Sequence, residues 1–176
     1  MLRRFELTAG PLPEFDHHVA LGDIQILEDV KLERYCRQKI LFSSPDGDRI
    51  PAYLLLPDRA GKLPAVLCLH QTTRIGKDEP AGLGGKPNLH YAAELAERGY
   101  IALVPDYPSF GDYNYAFDQP NYVSGTMKGI VNHMRGVDLL VSLPQAAPKR
   151  IGVIGHSLGG HNALFLAAFD SRVRVW

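Results

Sequence analysis

Cysteine is scarce in this 176-residue chain, with Cys36 and Cys68 only. The two are far apart and show no metal-type spacing, and both fall in strand-like segments where a buried free thiol is the ordinary reading. Charge of either sign is not in excess: 19 Lys and Arg face 19 Asp and Glu. Nothing in that balance favours nucleic acid or an anionic membrane as a partner. No apolar run approaches the length needed to cross a bilayer. The opening "MLRRFELTAGPLPEFDHH" has two arginines but no apolar run behind them, so it does not read as a secretory signal, and a cytoplasmic protein is the default. His17 and His18 are adjacent and cannot both face one ion from a regular element, so no metal is expected. No repeat or low-complexity tract is visible.

What is present is alternation of strand-like and helix-like segments. Residues 1–29 mix Gly, Pro and polar residues without clear period and read as an N-terminal arm. From residue 30 the pattern becomes extended. "RYCRQKILFSS" places Cys36, Ile40 and Phe42 on one side, "PDGDR" supplies an Asp-Gly turn, and "IPAYLLLP" returns, so a hairpin is expected. "LPAVLCLH", "YIALVPDYP" and "RIGVIG" are short continuous apolar runs, as in strands covered on both faces. Between them, "LHYAAELAERGY" carries Leu89, Ala92, Ala93 and Ala96 on one stripe, with Gly99 as its stop. "TMKGIVNHMRGVDLLVSLP" repeats Met127, Ile130, Val131, Met134, Val137, Leu140 and Val141 at helical spacing. "HNALFLAAF" is apolar all round and must be covered, and "RVRVW" opens one more strand. A hairpin followed by alternating strands and helices predicts an α/β protein with a mostly parallel, doubly wound sheet.

The segment carrying chemistry is Gly155-His156-Ser157-Leu158-Gly159, a match to G-x-S-x-G. A nucleophile standing out on a tight strand-to-helix turn needs a strained backbone. Side chains two residues to either side would collide with neighbouring main chain, which calls for Gly155 and Gly159. The helix that begins there offers free N–H groups and a positive dipole end to a developing oxyanion. Leu158 would give one N–H. A second should come from the loop after the third strand, "LCLHQTT", where the N–H of Gln71 is the candidate. The side chains of His70 and Gln71 either take part or simply fix that loop.

In their order, "LPAVLCLHQTT", "YIALVPDYPSFGD", "GVDLLVSLP" and "RIGVIGHSLGGHNAL" resemble the α/β-hydrolase superfamily, most closely its dienelactone-hydrolase-like and acetyl-xylan-esterase-like bacterial members. The resemblance covers residues 30–176. It implies an α/β-hydrolase fold with an N-terminal hairpin, an ester substrate and no cofactor. Dienelactone hydrolases proper carry cysteine at the elbow; Ser157 points instead to ordinary ester hydrolysis. The same resemblance implies a triad in the order Ser, Asp or Glu, His. Between Ser157 and Trp176 stand one carboxylate, Asp170, and one histidine, His161, both on or just past the nucleophile's own helix. The acid and the base are therefore expected beyond residue 176, and the domain is expected to be incomplete, truncated after about the sixth strand. A bare apolar sheet face and an open edge at "RVRVW" should result, unless a short protein dimerises over that face. Among local residues His70 is the least implausible stand-in base. His156 should point elsewhere, and His161 should pack or cap.

The loop after "VPD" holds Tyr107, Phe110, Tyr113, Tyr115, Phe117 and Tyr122, which either wall an apolar or sugar-bearing substrate or pack on one another. His70, His156 and Tyr107 are the candidate lining residues. Asp106 is expected to fix its loop rather than serve as the triad acid. "GLGGKPN" fails the phosphate-loop test, because Pro80 and Pro87 stand where Gly and Ser or Thr are required. "RIGKDEP" reads as a solvated loop. The expected function is serine-nucleophile hydrolysis of a carboxylic ester. The alternatives are a peptidase or amidase of the prolyl-oligopeptidase type, or a non-catalytic remnant used for binding or assembly.

Overall fold

A computed structural model describes residues 2–14, 24–117 and 122–176. Seven strands form one sheet: β1 (Gln25–Lys31), β2 (Tyr35–Ser43), β3 (Arg49–Pro57), β4 (Leu63–Leu69), β5 (Ile101–Pro105), β6 (Ala146–Gly155) and β7 (Val173–Val175). Among the described residues four α-helices accompany them: α1 (Leu2–Ala9), α2 (Tyr91–Glu97), α3 (Gly125–Ser142) and α4 (Leu158–Phe169). The spatial order is β1-β2-β3-β5-β4-β6-β7. The first three strands are antiparallel neighbours, and β3 also runs antiparallel to β5. β5, β4, β6 and β7 are parallel, joined by crossovers through α2, α3 and α4.

The apolar runs are explained by alternation into two cores. Leu54, Leu67 and Leu103 face one side of the sheet, where Met127, Ile130, Leu140 of α3 and Leu166 of α4 cover them. Their chain neighbours Leu55, Cys68, Ala102 and Val104 face the other side, against Ala92 and Ala96 of α2. A strand with helices on both faces has no solvated side to mark with polar residues. Cys68 is fully buried and burial raises its thiol pKa; Cys36 is pushed up to about 11 by burial and then by Asp29, so neither is a reactive thiolate at neutral pH.

The expected α/β sheet is present with one strand more than foreseen, because β1 starts at Gln25, inside the segment read as an arm. α1 was likewise not foreseen. It lies on α4, with Phe5 4.4 Å from Phe165 and 5.6 Å from Phe169 between ring centroids. α4 is covered only in part: Leu166 is buried, whereas Leu164 remains 59% exposed. The far side of the sheet keeps an apolar groove of about 620 Å³ beside α2, lined by Val66, Leu95, Tyr100, Ile154, Val175 and Trp176. Lys149, Arg150 and Arg174 also border it. No helix among the described residues is long and apolar enough to cross a membrane.

Candidate active site

At the C-terminal end of β6 the chain reverses into α4 through Ser157, whose backbone stands at φ 52°, ψ −114°. A serine with positive φ is strained, and such strain persists only where the surroundings enforce it. Here the flanking glycines do so. A Cβ on Gly159 would lie 1.9 Å from the Leu69 carbonyl oxygen, and one on Gly155 would lie 2.3 Å from the Gly159 carbonyl carbon. The turn is thus pressed against the end of β4, and only glycine permits it. Ser157 is exposed, and its hydroxyl is not spent on capping α4. Leu158 opens α4, so its N–H has no acceptor within the helix. The candidate nucleophile therefore stands where N–H groups and the positive end of a helix converge.

The loop after β4 lies alongside. His70 is 3% exposed, and both its ring nitrogens are engaged by main chain: Nδ1 is 2.6 Å from the Gln71 carbonyl oxygen, and the Tyr107 N–H donates to Nε2 at 2.9 Å. Burial lowers its pKa, so the ring is neutral with its proton on Nδ1. With both nitrogens occupied, His70 pins the Gln71 loop to the loop after β5 and does not serve as the base for Ser157. His156 is exposed and reaches sideways, its Nδ1 2.7 Å from Gln71 Oε1. Gln71 in turn donates through Nε2 to Glu79 Oε2 at 2.9 Å. His161 packs edge-on against Phe165, with 4.2 Å between ring centroids. Asp170 is held by the backbone and guanidinium of Arg172.

Tyr107 contributes more scaffold than wall. Its hydroxyl donates to the Gly125 carbonyl at 2.8 Å, and its ring lies against α3, where a Cβ on Gly129 would come within 2.3 Å of it. The aromatic loop largely packs on itself, through edge-to-face pairs of Tyr113 with Tyr115 and Tyr115 with Phe117. Phe117 stays 52% exposed.

Asp106 is buried and fixes its loop as expected. It accepts from the Lys77 N–H (2.7 Å), the Lys77 ammonium (2.8 Å) and the Asp112 N–H (3.0 Å). The reading of "RIGKDEP" as a solvated loop is corrected here: Lys77 is 1% exposed and bridges Asp106 to Asp112. A carboxylate taken out of water at the end of β5 requires a cation, and Lys77 supplies it. Burial works against the Lys77 charge, but the two carboxylates raise its pKa, and hydrogen bonds from Lys39 and Lys77 hold Asp112 down at about 2. Two further buried groups escaped the sequence reading. Lys128 is paired with Asp46 at 2.8 Å, and His133 is pushed by burial down to about 3. Among the described residues no group of three or more His, Cys, Asp or Glu could hold a metal ion.

A mixed sheet whose parallel half ends in a strained serine between β6 and the following helix is the architecture of the α/β-hydrolases. Within that class the chain belongs to the dienelactone hydrolase family, whose sequence pattern matches residues 50–175. It is similar to "Putative hydrolase YtaP" of Bacillus subtilis, 27% identical over 164 residues, covering 86% of this chain and 55% of that protein. It is also similar to 2,6-dihydropseudooxynicotine hydrolase of Paenarthrobacter nicotinovorans, 30% identical over 157 residues, 81% of this chain and 37% of that one. Among solved structures, a "putative acetyl xylan esterase" of Bacteroides fragilis superposes with a TM-score of 0.79 at 21% identity, over 98% of this chain and 50% of that chain; this likeness is one of fold. The chain thus spans about half or less of the length of these proteins.

Proposed function

We propose that this chain carries the nucleophile and oxyanion hole of a serine-dependent carboxylic ester hydrolase. The observation that carries the reading is the backbone of Ser157, held at φ 52° between glycines that cannot be replaced, with its hydroxyl left uncommitted at the start of α4. Ser157 Oγ attacks the ester carbonyl. The N–H groups of Leu158 and Gln71 receive the developing negative charge. The alcohol leaves, and water cleaves the acyl-enzyme. The proton passes through a histidine oriented by an acid; among the described residues His70 is fully engaged, His156 turns to Gln71 and His161 is packed on Phe165, so none of these three is placed as that base. The hydrolase names of the two curated relatives support hydrolysis, and an ester is the substrate class named for the structural neighbour that shares the fold.

A fluorophosphonate probe tests the reading. Ser157 in residues 1–176 alone should label slowly, by roughly three or more orders of magnitude, because His70, His156 and His161 are committed elsewhere. A longer protein that includes the family's remaining strands should label fast, and Ser157→Ala should abolish labelling. Full-rate labelling of residues 1–176 would show that the base lies within this chain. Equal labelling of wild type and Ser157→Ala would remove Ser157 from the role. Esters and peptide amides offered side by side separate an esterase from a prolyl-oligopeptidase-type enzyme.

A further inference from the structure

The glycine-rich segment "GLGGKPN" holds a carboxylate of its own chain. Gly85 stands at φ +72°, and a Cβ there would come within 2.3 Å of Glu79 Oε1. The Lys86 N–H donates to that same oxygen at 3.0 Å. Glu79 is 3% exposed, and its other oxygen accepts from Gln71 Nε2 at 2.9 Å. Because a carboxylate only accepts, the amide of Gln71 has one orientation: its NH₂ faces Glu79 and its Oε1 faces outward. Oε1 meets His156 Nδ1 at 2.7 Å, so that nitrogen carries a proton.

The chain Glu79–Gln71–His156 therefore has a fixed hydrogen-bond direction and links two loops. Gln71 belongs to the loop after β4, and His156 precedes Ser157 in the nucleophile turn. We infer that this polar strut sets the spacing between the two N–H donors of the oxyanion hole, making Glu79 and His156 positioning residues for transition-state stabilisation. The inference rests on the reading of Ser157 as the nucleophile. The strut acts on the loop through the Gln71 side chain and on the turn through the residue adjoining Ser157. An oxyanion exists only while the carbonyl carbon is tetrahedral, so a loosened strut costs turnover rather than ground-state binding.

The test uses the full-length protein, p-nitrophenyl acetate as substrate and a boronic acid as tetrahedral analogue. His156 is exposed, so His156→Phe leaves the core untouched; Glu79→Gln is isosteric but frees the Gln71 amide to turn over. Each variant should lower kcat by about 10- to 100-fold with KM within about twofold, and weaken the boronic acid by a similar factor. The double variant should be no slower than the slower single, because both act through Gln71. Unchanged kcat in His156→Phe would overturn the strut, as would losses that multiply in the double variant or fall on KM alone. Ser157→Ala, run in parallel, separates the two ideas: full turnover there would overturn the nucleophile itself, whatever the strut variants do.

Discussion

Lys77 shows at residue scale how a buried charge holds a loop at the end of the sheet. Its ammonium lies between Asp106 and Asp112, and the space around Asp106 is closed by Gly76 and Gly111, both at positive φ. Lys77→Met leaves the Asp106 carboxylate buried without its cation. We expect a loss of about 3–5 kcal/mol in urea unfolding, with Asp106→Asn in the same chain restoring part of it. Nothing in "RIGKDEP" announces this, because the partner lies at the end of another strand and a charge run reads as solvated until its partner is known. Ser157 was legible for the opposite reason: its constraints are local, spelled out by glycines within two residues. His70 and His133 give a pH dependence. Burial lowers both pKa values, His133 to about 3, whereas an unfolded histidine titrates near about 6.5. Above that pH neither state gains a proton there. As pH falls toward 3 the unfolded chain binds protons that the folded chain refuses. Stability is therefore fully present above the unfolded histidine's pKa and falls as pH drops below it, for His133 down to about pH 3. Urea midpoints at pH 7 and pH 5 should show the drop, and His133→Leu should reduce it.

At the scale of elements, the strands that the sequence revealed are those buried on both faces, and the element it concealed best is β1. That strand is exposed at nearly every position, so it carries neither a continuous apolar run nor an alternation to read. α1 is hidden likewise: "LRRFELTA" is short, and Phe5 acquires meaning only when Phe165 and Phe169 of α4 stand opposite. This pairing is testable. Phe5→Ala should cost about 1–2 kcal/mol, and amide exchange should quicken in residues 2–9 and along α4 while the β4–β6 pair stays protected. The loop carrying Gln71 was legible from its position after a buried strand, but its bracing by Glu79 was not. The glycines around that carboxylate resemble a phosphate loop in composition and differ from one in what they hold.

Across the whole molecule the two faces of the sheet differ. One is covered by α3 and α4, and the other by α2 and then by the open groove, where Ile154 is 40% exposed and Trp176 68%. Exposed apolar surface of this extent binds hydrophobic dyes and promotes association. Residues 1–176 should enhance the fluorescence of an anilinonaphthalene dye at neutral pH, and Ile154→Lys should diminish that signal without shifting the thermal midpoint by more than a few degrees.

The strand order carries a consequence in time. β1, β2 and β3 pair with their chain neighbours, whereas β4 must find β6 across the whole of α2, β5 and α3. Pairings across long loops pay their closure entropy late and form slowly. The strained turn at Ser157 is pressed into shape by the Leu69 carbonyl at the end of β4, so its geometry cannot exist before β4 and β6 have met. In a refolding chain the hairpins assemble early, and the Ser157 turn takes its strained form only when the centre of the sheet has closed.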